Sequence, residues 1–67
     1  MEGNRVSIYT TDKDYDAEII KGMLNEHDIE VFIINKRDSV CLFGYFELYV
    51  MSEDVMKAKT LIMNYNS

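Results

Sequence analysis

Polar and apolar residues alternate from Arg5 to Thr10, with Val6 and Ile8 on one side and Ser7 and Tyr9 on the other. A period of two predicts a half-buried strand. The period then lengthens. Ala17, Ile20, Met23, Leu24 and His27 recur at helical spacing, one stripe of an amphipathic helix. Thr11 followed by Asp14 reads as a capping box at its start, and Asp12, Asp14 and Asp16 complement the helix dipole. Gly22 inside that helix costs about 1 kcal/mol against Ala, so close packing is the expected reason for it. At the far end, Asp28 in a left-handed C′ position would make Leu24 and Ile29 the apolar pair of a Schellman cap.

Glu30–Asn35 is β-branched and aromatic, a second strand. Its Val31/Ile33 and Phe32/Ile34 sets are both apolar, so alternation leaves its buried side open. Lys36–Gly44 reads as a connection. Tyr45–Met51 alternates again, with Phe46, Leu48 and Val50 against Tyr45, Glu47 and Tyr49. Ser52, Glu53 and Asp54 then open a second helix. Val55, Ala58, Leu61, Ile62 and Tyr65 repeat the stripe spacing. The two halves echo each other: Tyr9 matches Val50, Thr11 matches Ser52, Ala17 matches Ala58, and Ile20 matches Leu61. A duplicated split βαβ unit leaves such a trace.

The order β-α-β-β-α predicts a single α+β domain over residues 1–67 with a ferredoxin-like arrangement. A right-handed crossover sets the first two strands parallel, and the third strand lies between them in order 1-3-2. Both helices then cover one face. The first strand is left as an open edge. Expected on the uncovered face are Tyr9, Tyr45, Glu47 and Tyr49.

Composition narrows the chemistry. A chain of 67 residues has a marginal core, and small domains usually add disulfides, a metal or a partner surface. One Cys excludes an internal disulfide, and one Cys with one His cannot complete a structural zinc site by themselves. Self-association is the expected remedy, through the uncovered face around Tyr49 or through the edge of the first strand. Seven basic against twelve acidic residues give a net charge of −5, which opposes nucleic acid and anionic membranes. The longest apolar runs, Val31–Ile34 and Val40–Phe43, are far short of a membrane span. With no apolar stretch behind Met1–Arg5, a cytoplasmic location is expected.

Candidate chemistry is sparse. Glu26–Glu30 gathers His27 with three carboxylates, but that spacing belongs to a helix end in which His27 faces the last carbonyls. Cys41 has no base beside it in sequence and reads as a small apolar loop residue. No catalytic residue, metal or cofactor is expected. The connection Asn35, Lys36, Arg37, Asp38 and Ser39 is the least ordinary stretch. It concentrates two cations with hydrogen-bonding side chains and is expected to hold a partner or a small anionic ligand. The alternative is a solvated Asx-type turn.

These residues carry a likeness. Tyr9-Thr10-Thr11-Asp12, then Ala17–Leu24, then Asp28-Ile29-Glu30-Val31 resemble a family of small bacterial domains of unknown function described as prokaryotic signal-transducing proteins. Asn35–Ser39, Leu42-Phe43-Gly44 and Glu47–Val50 look like one branch of it, and the likeness covers about residues 6–65. That family is similar in fold to the PII regulators, which are ferredoxin-like, oligomerise and bind small effectors. The resemblance therefore implies a non-enzymatic regulatory or protein-interaction module. The other expectation is a small anion or metabolite sensor built on Asn35–Ser39.

Overall fold

The computed structural model describes residues 4–36 and 44–66. Its elements are strand β1 (Arg5–Thr11), helix α1 (Asp14–Asn25), strands β2 (Val31–Lys36) and β3 (Tyr45–Met51), and helix α2 (Val55–Asn66). A 3₁₀ turn, Ser52–Asp54, leads into α2. The strands form one sheet in the order β1-β3-β2, with β3 antiparallel to both neighbours. The β-α-β-β-α order and central third strand are those that the alternation predicts.

One core holds the two layers together. Ala17, Ile20 and Leu24 of α1 and Ala58 and Ile62 of α2 share it with Leu48 and Val50 of β3, so both helices lie on one side of the sheet. Leu48 and Val50 are fully buried because β3 is flanked by strands and roofed by helices. Full burial of such a side chain contributes about 1.5–3 kcal/mol. The echo between the halves is visible here, since Ala17 and Ala58 occupy matching buried positions.

The register settles which side of β2 is covered. Val31 pairs with Val50 and Ile33 with Leu48, so Val31 and Ile33 face the helices. Phe32 and Ile34 pair with Tyr49 and Glu47 and face away.

In β1 the structure departs from simple alternation. Val6 pairs with Val50 and Ser7 with Tyr49, but the next pair is Tyr9 with Leu48. Ile8 is the extra residue of a β-bulge, and both Ile8 and Tyr9 pack against the core. Tyr9 is thus on the helix side, not on the uncovered face where strict alternation puts it.

The helix ends mix agreement and correction. Asp28 has φ 64°, its amide donates to the Asn25 carbonyl at 3.0 Å, and the Ile29 amide donates to the Leu24 carbonyl at 3.1 Å. Leu24 and Ile29 are both buried, which completes the expected Schellman cap. The N-termini differ from expectation. The Thr11 hydroxyl accepts from the Lys13 amide at 3.2 Å, a local turn, and α1 starts only after Lys13 with no side-chain cap. Ser52 likewise enters the 3₁₀ turn, and its amide donates to the Asn4 carbonyl at 2.7 Å. Gly22 is exposed, and a Cβ added there meets nothing within 4 Å, so close packing does not explain it. Gly44, at φ 71°, brings the chain into β3 through a backbone conformation that L side chains rarely adopt.

Candidate functional site: the uncovered sheet face

Strand alternation and the bulge together decide which side chains meet on the face that the helices leave open. From β3 come Tyr45, Glu47, Tyr49 and Met51. From β1 come Arg5, Ser7 and Thr10, and from β2 come Phe32, Ile34 and Lys36. The face is organised around two contacts. The Arg5 guanidinium lies 4.2 Å from the centroid of the Phe32 ring, reaching across β3 from one edge strand to the other. Such stacking is worth roughly 0.5–1 kcal/mol at an exposed site. Near the other end, Lys36 Nζ stands 3.6 Å from Glu47 Oε1.

Glu47 is the central charge. The Ser7 hydroxyl beside it holds its carboxyl below the ordinary value, against partial desolvation, and the Tyr49 hydroxyl and Lys36 ammonium act in the same direction as Ser7. Glu47 therefore stays anionic with partners from its own chain, and it needs no arginine from a second subunit. Desolvation, followed by the hydrogen bond and charge of Glu47, raises the Tyr49 phenol above its ordinary range. Tyr45 and Tyr49 are only half-exposed. Among the described residues of this face, Ile34 alone is an exposed large hydrophobic residue, whereas Met56 is 82% exposed and Met63 69% on α2. The face is polar and aromatic rather than greasy.

The residues singled out by sequence are distributed as follows. Tyr45, Glu47 and Tyr49 share the uncovered face. Tyr9 leaves that set: its hydroxyl donates to Asp16 Oδ2 at 2.8 Å on the helix side. Asn35 pairs with Phe46 and Lys36 with Tyr45, so these neighbours lie on opposite sides of the sheet. Asn35 is exposed on the helix side, and Lys36 belongs to the Glu47 cluster. Arg37, Asp38, Ser39 and Cys41 lie outside the described residues. His27 Nδ1 lies 3.0 Å from the Met23 carbonyl, the helix-end role expected for it, with the ring N–H donating. Among the described residues no three His, Cys, Asp or Glu side chains are grouped to hold a metal ion. Sequence reasoning missed the parts of Arg5, Ser7 and Phe32. Their signal was the same-side parity of β1 before the bulge and of β2, which became readable once the register of β2 was known.

Comparison with known proteins adds one finding. A family model described as "putative prokaryotic signal transducing protein" matches residues 6–66. No curated protein and no solved structure matches the chain.

Proposed function

The chain belongs to that family, and on this premise we propose that it is a non-enzymatic regulatory or protein-interaction module of the cytoplasm, working as a homo-oligomer. The uncovered sheet face is its recognition surface. The observation that carries this reading is the ordering of that face. Arg5 stacked on Phe32, and Glu47 set among Ser7, Tyr49 and Lys36, arrange charge and aromatic area that the core does not require. Aromatic residues and Arg are the types enriched at protein interfaces. A PII-like manner of signalling, in which an effector changes what the face binds, fits the same surface.

The test is affinity capture from native extract with the wild-type chain beside Tyr49→Asp and Arg5→Ala. One protein retained by the wild type and lost from both folded variants supports the reading. Equal recovery on all three overturns it for this face.

A second reading is a small anion or metabolite sensor using Asn35, Lys36, Arg37, Asp38 and Ser39. It is favoured by Lys36, whose side chain is 42% exposed at the end of β2 where those residues begin. A ligand that binds only the native state raises its melting temperature. A thermal-shift screen with nucleotides and organic acids should then give a hit that Lys36→Ala abolishes.

A further inference from the structure

The sheet has two edge strands, and they differ. β1 is interrupted by the bulge at Ile8, and its start is held by the bond from the Ser52 amide to the Asn4 carbonyl. β2 pairs with β3 through six consecutive residues without a register shift, and no described strand pairs with its other side. Within Val31–Asn35 it carries no charge, no Pro and no bulge, the devices that usually blunt an edge. Charge appears only at its ends, as Glu30 before the strand and Lys36 at its close. Glu30 is exposed, and the described residues give it no ion-pair partner.

We propose that the β2 edge is a self-pairing seam, at which β2 of a second copy adds antiparallel about a two-fold axis to make one continuous six-stranded sheet. An isologous contact of this kind is self-complementary by symmetry. One register satisfies the ends: Ile33 opposite the partner's Ile33, Phe32 opposite the partner's Ile34, Val31 opposite the partner's Asn35, and Glu30 opposite the partner's Lys36. Glu30, Phe32, Ile34 and Lys36 then run along the uncovered face with opposite charges meeting at both ends and apolar residues meeting between them. Sliding the pair by two residues places Phe32 opposite the partner's Phe32 and sets Glu30 against the partner's Ile34. Sliding it the other way sets Lys36 against the partner's Phe32. Each slip separates Glu30 from Lys36 and sets one of them against an apolar neighbour. The β1 edge has no such match, since Arg5 at its start would meet Thr11 or its neighbours at the end. The seam builds the oligomer of the proposed function but rests on its own observations, and it leaves Arg5, Ser7 and Tyr49 available on a surface twice as wide.

Sedimentation at micromolar concentration tests the seam, with circular dichroism confirming that each variant is folded. The wild type should sediment as a dimer. Glu30→Lys and Lys36→Glu should each weaken the dimer about ten-fold, because like charges then face each other at both ends. Mixing the two variants in equal amounts should restore a dimer, one chain supplying both cations and the other both anions. Amide hydrogen exchange should slow in β2 and not in β1 as concentration rises. A monomeric wild type overturns the proposal. So does a dimer indifferent to both substitutions, or a mixture that recovers nothing. If Tyr49→Asp abolishes partner capture while the dimer survives, the recognition face and the seam are separate surfaces. If Tyr49→Asp alone dissociates the dimer, the copies pack face to face and the seam is wrong.

Discussion

The Tyr9 hydroxyl donates a 2.8 Å hydrogen bond to Asp16 Oδ2, tying the last part of β1 to the first turn of α1. That bond, followed by burial and the Asp16 charge, raises the Tyr9 phenol above its ordinary value of 10.0. Tyr9→Phe keeps the ring in the core and removes only the hydroxyl. It should cost about 1 kcal/mol in urea unfolding at neutral pH. The folded-state value is the higher one, so this contribution is present below pH 10 and disappears as pH rises through that value. The gap between wild type and variant should therefore close in strong alkali. Identical midpoints at pH 7 would show that the bond contributes nothing.

Glu47 carries the opposite sign. Its folded-state value is depressed below the ordinary 4.5, chiefly by Ser7. The stability that it contributes is present above about pH 4.5 and is lost as pH falls through the folded value. Glu47→Gln should lower the melting temperature at pH 7 and match the wild type near pH 2. A gap that persists unchanged into acid would place the effect in shape rather than charge.

Gly22 offers a gain. Its helical position is exposed, and nothing lies within 4 Å of an added Cβ. Gly22→Ala should stabilise by about 1 kcal/mol, through helix propensity and a less flexible unfolded chain. A loss of stability would mean that the helix surface needs its bare backbone after all.

Asp28 tests the cap. At φ 64° it occupies the left-handed region, which Asp tolerates and β-branched residues do not. Asp28→Gly should stabilise by about 0.5 kcal/mol, and Asp28→Val should destabilise by more than about 1 kcal/mol. Equal midpoints for the two variants would remove the backbone argument.

Much of this was readable in the chain because several signals agreed. The Leu24–Ile29 pair flanking Asp28 identified the Schellman cap, and the alternation of β3 identified Leu48 and Val50 as core. Elsewhere the signals were silent or in conflict. β2 is apolar on both sides, so only its pairing with β3 distinguishes Val31 from Phe32. For Tyr9, alternation pointed to the uncovered face, while the echo of the second half matched it to Val50, a buried residue. The echo was right, because one unpaired residue changes the side of everything after it. Neither Thr11 nor Ser52 caps its helix: the Thr11 hydroxyl is taken by the nearby Lys13 amide, and Ser52 lies in the 3₁₀ turn with its amide bonded across to the Asn4 carbonyl. Of the candidate stretch only Asn35 and Lys36 are among the described residues. Lys36 joins Glu47 across the strands, a contact that depends on register and cannot be seen from neighbours in sequence.

The extra residue in β1 has a consequence for descent. Val6 and Tyr9, paired with Val50 and Leu48, lie on the helix side an odd number of positions apart, so the first strand is out of frame with itself. A relative without the bulge would be one residue shorter between these anchors. Aligned without a gap there, it would appear to exchange polar for apolar residues throughout one half of the strand, although nothing in its core had changed. Deleting Ile8 from this chain would be the corresponding length variant. It should fold with a regular ladder, keeping Val6 and Tyr9 on the helix side at the loss of one partly buried side chain.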